Sequence, residues 1–540
     1  MPYRPRILRR AIPGALKRLV RRHANRLFLT HELIEYQAWL KQRMLERKLL
    51  YTDRVEPGLF SVLTPVWDGS PVPYLNKLAA SLIEQNPDAA CEWVLLDNGC
   101  TQPALRNYLQ RLALLPWVKL IRSEENLGIV RGLRQCLEHA SGRYVLPVDA
   151  DDYLFTDALR VAASFLRKNN YPALVYTDED KLTGGRFHQP YFKPDWDPVL
   201  FANSAYTAHL NIIDRNAALA LGAYTDPATE GSPDWDLFVR FVTAGYVPMH
   251  LAEVLYSWRI HPKSTADDGA NKSFIPASQK AVLERYLAAQ PVRGKFEVRE
   301  SPLSAGQSDW RLYRRRCEPA NIVSIRLSQS HPRELAPLLQ KAAAGNSLVH
   351  LESEDVEVED DDWRWEAIGL FELYRDSVMV GGRICSKKGT ILSAGHYFGF
   401  GGACGSPYRG KGFHDCGYFT HLKKQRSVSA VSVQFCVVEP AFLLEVVKTA
   451  PRQASIAFLG AWAGAHALRT GRRVIYTPFM SAISGIDWDE LPGSEEKQLF
   501  ARLNADVMPD RRFYSRHLSL EKPFALSKPQ KLAMQRAAAV

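Results

Sequence analysis

The 540-residue sequence predicts an α/β protein with a mostly parallel, doubly wound central sheet flanked by helices. Three observations lead there. Short apolar runs alternate with amphipathic stretches through residues 60–150. Turn signals such as Asn98-Gly99 and Ser141-Gly142 separate them. Polar and acidic residues gather just after the apolar runs, where open parallel sheets bind ligands.

The elements follow in order. Residues 1–50 predict a helix, with Leu16, Leu19, Val20, Leu27, Leu29 and Leu33 among basic residues. This segment holds 13 Lys/Arg and three acids, nearly the whole net charge of +11, so the basic pI describes a terminal segment. A basic, partly amphipathic helix suits an anionic membrane surface; a solvated helix is the plain alternative. Phe60–Val66 predicts a strand and 72–85 a helix. Trp93–Asp97 is a second strand, followed by a helix over 102–113. Val118–Ile121 is a third strand, and a helix runs from Glu124 to His139. Tyr144–Val148 closes the series as a strand apolar enough to be buried on both faces.

At its end stand Asp149, Asp151 and Asp152. Like charges this close repel, so something positive is expected beside them. A divalent metal carrying a diphosphate is one answer, because hard cations combine a carboxylate or two with phosphate oxygens. An acidic turn capping the next helix is the other. Asp97 suits a base N–H or ribose hydroxyl, or equally the Asn98-Gly99 turn. Gly128 permits close approach of a ligand at a helix start, or is a plain turn glycine. Further on, Thr177-Asp-Glu-Asp-Lys181 and Phe192-Lys-Pro-Asp-Trp196 mix charges and aromatics. Asp234 and Asp236 open a helix, where the dipole alone favours acids. Leu255-Tyr-Ser-Trp-Arg259 predicts a strand running on to His261, a metal-ligand or phosphate-donor candidate.

Several classes are excluded. There is no G-x-G-x-x-G dinucleotide fingerprint and no phosphate-binding P-loop. Eight scattered cysteines without a C-x-x-C pair predict reduced thiols in a cytosolic protein, with neither a zinc site nor a disulfide framework. No run of about 18 apolar residues predicts a membrane span, and no secretory signal is expected. No nucleic-acid-binding motif is present.

Taken together these stretches resemble a family 2 glycosyltransferase of the GT-A fold, a Rossmann-like architecture. The resemblance rests on Ser61-Val-Leu-Thr-Pro65, Leu96-Asp-Asn-Gly99, Glu125-Asn-Leu-Gly-Ile129, Val148-Asp-Ala-Asp-Asp152 and Asp234-Trp-Asp-Leu237. The 177–181, 192–196 and 255–259 motifs resemble the bacterial O-antigen and surface-polysaccharide branch. The resemblance covers about residues 36–265 and implies roles. Pro65, Asp97, Gly128 and Asp149 would line the nucleotide site, with Asp97 on the base and Asp149 near the ribose. Asp151 and His261 would hold Mg2+ or Mn2+. Asp234 would be the catalytic base, and Glu179, Asp180, Trp196 and Arg259 would contact the sugars. Gly132-Leu133-Arg134 replaces the family's frequent Ala-Leu-Asn, so the nucleotide side is expected to differ.

Residues 349–480 resemble a damaged copy of the same family. About 25 residues separate Ile325 from Leu351, too few for the nucleotide-binding βαβα units at roughly 30 residues each. Phe458-Leu-Gly-Ala-Trp-Ala463 replaces the base motif and has no carboxylate. The expected organisation is a basic helical segment (1–55), a catalytic domain (56–300), a degenerate transferase-like domain (301–490) and a tail (491–540).

The expected function is inverting transfer of a hexosyl or rhamnosyl group from a UDP- or dTDP-sugar to a glycan or lipid-linked glycan. Its expected setting is O-antigen, lipopolysaccharide or exopolysaccharide synthesis in the cytoplasm, peripheral on the inner face of the membrane, without nucleic-acid partners. An inactive glycan-binding scaffold is the alternative. A sugar nucleotidyltransferase is a further one, opposed by Thr64-Pro-Val-Trp-Asp-Gly69, which lacks the Arg-containing glycine-rich loop.

Overall fold

The structure, a computed structural model, describes residues 14–261, 274–304, 309–316, 321–328 and 331–528, with side chains described from residue 32. The strands of the first sheet are β1 (Phe60–Val66), β2 (Glu92–Asn98), β3 (Val118–Ser123), β4 (Tyr144–Pro147), β5 (Tyr153–Leu154), β6 (Leu174–Thr183), β7 (Arg186–Tyr191), β8 (Asn211–Asp214) and β9 (Met249–Arg259). Their order is β3-β2-β1-β4-β8-β6-β9-β5, with β7 beside β6. The β3-β2-β1-β4 block is parallel, as its helical crossovers require. Beyond β4 the sheet is mixed: β8 runs antiparallel to β4 and β6, while β6 and β9 are parallel.

Helices Val72–Gln85 and Gly128–His139 connect the parallel strands and bury apolar faces on the sheet. Leu75, Leu78 and Leu82 recur at helical spacing and are buried, as are Leu133, Cys136 and Leu137.

A second sheet repeats the first. Its strands run Ile322–Leu327, Leu348–Ser353, Phe435–Val438, Ser377–Ser386, Arg473–Ser484 and Val356–Val358 across the sheet. The first pair is parallel and the next two antiparallel. The fourth pair is parallel and the last antiparallel. This is the pattern of β1-β4-β8-β6-β9-β5, strand for strand. Ile391–Ser393 even pairs with Ser377–Ser386 as β7 pairs with β6. Among the described residues there are no counterparts of β2 and β3, in line with the short 325–351 spacing.

Three expectations need adjustment. The boundary expected at 300 falls inside a hairpin, Phe296–Glu300 with Trp310–Arg314. Its Phe296, Val298, Trp310 and Leu312 pack with the first half, because an isolated strand needs its partner and an apolar face to cover. The tail is packed: His517 and Arg516 bond the Ala252 carbonyl at 2.8 and 3.0 Å. Thirdly, the helix Gly14–Leu50 is not a uniformly solvated basic face. Arg47 is fully buried, bonding Asp157 at 3.0 Å and the Val254 carbonyl at 2.6 Å. Arg43 pairs with buried Glu253 at 3.0 Å, and Tyr36 donates to Asp180 at 2.6 Å. These groups fix the helix to the first domain and are not available to a membrane. The nine basic residues before 32 lie outside the described side chains.

Among the described residues no helix is long and apolar enough to cross a membrane. The seven described cysteines are all free, and Cys317 lies outside the described residues.

Candidate active site

The site lies at the carboxyl edge of the first sheet. Directly after β4 the chain turns through Asp149–Asp152. Asp152 is buried and acts as the internal fastener of this turn. It accepts from Tyr256 Oη at 2.5 Å and from the Arg259 amide at 2.7 Å, tying β4 to β9. Burial, with Asp149 and Asp151 close by, pushes its pKa well up. Asp149 is exposed, and its amide faces Tyr256 Oη at 3.4 Å. Asp151 carries the outward carboxylate, with Oδ2 at 2.8 Å from His261 Nε2.

Arg259 completes this side. Its Nε donates to the Asp151 carbonyl at 2.6 Å, and its guanidinium lies 4.6 Å from the Tyr74 ring centroid. Its Nη2 is buried without a hydrogen-bond partner among the described residues. Burial lowers its pKa. An unpartnered cationic N–H beside a carboxylate–imidazole pair fits a bound diphosphate and its metal. A separation near 3 Å matches adjacent ligands of an octahedral ion with bonds of about 2.1 Å. The described residues contain no cluster of three or more His, Cys, Asp or Glu that could hold a metal. Remaining ligands would come from phosphate and water, the usual arrangement for Mg2+.

The second constellation sits on β6, the loop before β8, and the helix Pro233–Thr243. His209 Nδ1 is 3.4 Å from Glu179 and its Nε2 is 3.8 Å from Asp234. Burial opposes protonation of this imidazole, but Glu179, Asp234 and Asp149 outweigh it and push the pKa up to about 9. Burial raises the Asp234 pKa, opposed by His209, the Asn211 amide and Lys193. Burial also works against ionised Glu179, where Lys193 and His209 prevail and hold it low. Lys193, 1% exposed, bonds the carbonyls of Ala208 and, at 2.7 Å, His209, and lies 3.3 Å from Glu179.

The structure separates two residues that the sequence placed together. Glu179 faces the site, whereas Asp180 points to the opposite side of β6 and accepts from Tyr36. Successive strand residues alternate faces, so neighbouring carboxylates cannot both meet one sugar. Burial raises Asp180 to about 7. Trp196 packs among Phe201 and Tyr206 with centroids 4.9 and 6.5 Å away, leaving it half-buried.

On the nucleotide side, Asp97 is the next-to-last residue of β2, accepts from the Cys100 amide at 2.9 Å and faces Arg122 at 3.7 Å. It therefore forms the turn, with its second oxygen directed to a cation. Pro65 pairs with Leu96, and a Cβ on Gly132 would come within 3.2 Å of its ring. Gly128 has φ +77°, yet the group closest to it is Glu230, which accepts from Ile129 and Val130 amides at 2.7 and 3.1 Å. Close approach here is made by that carboxylate, which neutralises the helix N-terminus. Arg134 turns away, bonding Glu138 at 2.6 Å and the Ala223 carbonyl at 3.2 Å.

Residues 61–218 match the model of glycosyl transferase family 2. This segment is a glycosyl transferase family 2 domain. The family 2 domain contains β1–β8; Asp234, β9 and His261 lie beyond the matched residues.

Relatives include the y4gI protein of Sinorhizobium fredii, 26% identical over 76% of this chain and 51% of that protein. The O-antigen biosynthesis protein RfbC of Myxococcus xanthus is 26% identical over 70% of this chain and 34% of that protein. The chain thus spans about half of the first of these relatives and a third of the second. Poly(ribitol-phosphate) beta-N-acetylglucosaminyltransferase TarS of Staphylococcus aureus is 30% identical over 30% of the chain and 28% of that protein. Among solved structures, S. aureus TarS 1–349 in complex with UDP-GlcNAc matches at 20% identity and TM-score 0.36, over 43% of this chain and 66% of that one.

His209, Lys193 and Glu230 were not singled out by the sequence. Lys193 lay within the quoted Phe192–Trp196 motif, and that was its only signal.

Proposed function

We propose that residues 56–300 transfer a sugar from a nucleoside-diphosphate sugar to a hydroxyl of a glycan acceptor, with inversion at the anomeric carbon. The observation that supports this most is the pairing of two constellations at one sheet edge. Asp151, His261 and Arg259 suit a departing diphosphate, and Glu179, His209 and Asp234 suit an incoming hydroxyl.

In this scheme Asp234 takes the acceptor proton. Burial makes it a stronger base, and the cations His209 and Lys193 keep it ionised. Glu179 in turn holds His209 in place and protonated. Arg259 places its unpartnered Nη2 on the leaving diphosphate. Asp151 and His261 would hold Mg2+ or Mn2+, which when bound supplies Lewis-acid neutralisation of the leaving group. Asp97 and Pro65 would take the base and Asp149 the ribose, with Gly128 closing that side. Trp196 offers a half-exposed ring for a sugar face. Asp180 is assigned to anchoring the N-terminal helix.

The donor would be a UDP- or dTDP-linked hexose or rhamnose. The acceptor would be a glycan or lipid-linked glycan of a bacterial surface polysaccharide; the names of the RfbC and TarS relatives support that setting. Residues 301–490 would be a degenerate transferase-like domain. Residues before 32, carrying nine Lys/Arg, would touch an anionic membrane on its cytoplasmic face. Deleting residues 1–30 should weaken liposome binding, and undiminished binding would remove the membrane part.

Purified protein screened against UDP- and dTDP-sugars with Mn2+, scored by hydrolysis and thermal shift, tests the donor assignment. At least one nucleotide sugar should be hydrolysed and should stabilise the protein. A screen without hydrolysis or stabilisation by any of them refutes it.

A further inference from the structure

Beside the second sheet lies a half-open cavity of about 200 Å³. Its walls come from the segments that flank the strands equivalent to those of the transfer site. Ala457, Phe458, Gly460 and Ala461 lie around the start of the helix before Arg473–Ser484, as Asp234 does before β9. Val431 and Ser432 precede Phe435–Val438, as the His209 loop precedes β8. Asp489 follows Arg473–Ser484, as His261 follows β9. The cavity therefore takes, in the second half, the place of the transfer cleft in the first.

The groups needed for transfer are replaced. Ala461 precedes buried Trp462 where Asp234 precedes buried Trp235. Val433, fully buried, stands two residues before its strand where His209 stands two before β8. Asp355, at the acidic turn, accepts from Ser353 at 2.6 Å, from Ser484 and from the Ile486 amide at 3.2 Å. A Cβ at Gly460 would lie 2.0 Å from the Val431 carbonyl, so a larger residue there would displace backbone.

What remains is a polar pocket whose charged side chains are engaged by neighbouring groups. His396 Nε2 meets both oxygens of Asp489 at 2.9 and 2.8 Å. Arg409 pairs with Asp487 at 2.7 Å and with Glu490. Lys497 donates to the Asp489 carbonyl at 3.2 Å. Phe400 and Phe458 add aromatic surface. Ser406, 7% exposed, lines the cavity, and its hydroxyl has no hydrogen-bond partner among the described residues. Such a group is costly to leave buried and dry. The volume equals that of about seven waters at roughly 30 Å³ each. That holds one sugar ring and falls short of the ~300 Å³ at which drug-sized pockets begin.

We propose that this cavity binds a single neutral sugar residue of a glycan, with Ser406 bonding a sugar hydroxyl and a phenylalanine ring covering an apolar sugar face. Its charged side chains are already engaged, His396 by Asp489 and Arg409 by Asp487 and Glu490, which leaves the Ser406 hydroxyl to meet a neutral ligand. The inference stands apart from the transfer reaction, since it concerns residues of the second half only.

Saturation-transfer NMR on the full chain tests it, with the methyl glycosides of glucose, galactose, N-acetylglucosamine and rhamnose as probes. At least one glycoside should give signals that persist in Asp234→Asn and fall at least tenfold in Ala457→Trp, which fills the cavity. Ser406→Ala removes only the unpartnered hydroxyl, so it should leave thermal stability at or above that of the parent while weakening the signals severalfold. Absence of signals for all four glycosides overturns the proposal. So do signals indifferent to Ser406→Ala in a folded variant, whatever the fate of Ala457→Trp.

Discussion

Lys193→Met separates a residue that positions the proposed base from one that merely fills space. Lys193 Nζ reaches the Ala208 carbonyl, the His209 carbonyl at 2.7 Å and Glu179 at 3.3 Å while 1% exposed. Methionine keeps the volume and removes every donor. Breaking one side of a buried ion pair costs about 3–5 kcal/mol, a large share of a domain's ~5–15 kcal/mol. The segment 206–210 will therefore rearrange to find water rather than stay in place unsatisfied. His209 moves with it, and the Glu179–His209–Asp234 line is broken. Displacing a reacting group by about 1 Å costs roughly 10²-fold in rate, so kcat should fall by about that factor. The donor KM should hold, because Asp151, His261 and Arg259 are untouched. Faster amide hydrogen exchange at Leu210 and Thr177, bonded to each other at 3.1 and 3.0 Å, is the readout independent of activity. Unchanged kcat together with unchanged exchange would refute the positioning role.

Other perturbations follow from the same contacts. Arg47→Ala strands Asp157 and should destabilise the N-terminal helix by about 3–5 kcal/mol, while Arg47→Met with Asp157→Leu should be near neutral; chemical denaturation of both decides this. Asp180, at about 7 when folded, binds a proton more readily than in the unfolded chain at about 3.9. Its raised pKa means that its share of stability is full below pH ~4 and lost as pH climbs to ~7, on the order of 4 kcal/mol. Asp180→Asn should flatten that slope, which denaturation from pH 4 to 8 will show. With Mn2+ and UDP at about 100 times Kd, binding should add ~2.7 kcal/mol of stability to the parent and much less to Asp151→Asn, by thermal shift.

Much of the fold was legible because the βα crossovers write it twice, in strand composition and in helix period. The helix 72–85 and the strand Phe60–Val66 match the structure residue for residue. The spacing between Ile325 and Leu351 likewise announced that two strands of the first sheet have no counterpart among the described residues of the second. The residues gathered at the sheet edge were legible where motifs are local, as with Asp151, and where the family resemblance pointed to His261 and Asp234; their roles stay proposals. It was not legible where the answer depends on strand face or on distant pairing. Nothing local says that Glu179 looks inward and Asp180 outward, or that Glu230 occupies a helix end about 100 residues away. Arg43 and Arg47 read as part of a basic helix suited to a membrane surface because their partners Glu253 and Asp157 lie over 100 residues on. His209 carried no signal at all, since an isolated loop histidine has no spacing to read.

The most direct test of the proposed transfer is the rate of sugar transfer to a glycan acceptor by Asp234→Asn, measured beside donor binding by thermal shift. Loss of a general base predicts a fall of about 10²- to 10⁴-fold with donor stabilisation retained. Transfer at the parental rate would contradict the assignment of Asp234 as base, and with it the site built around His209.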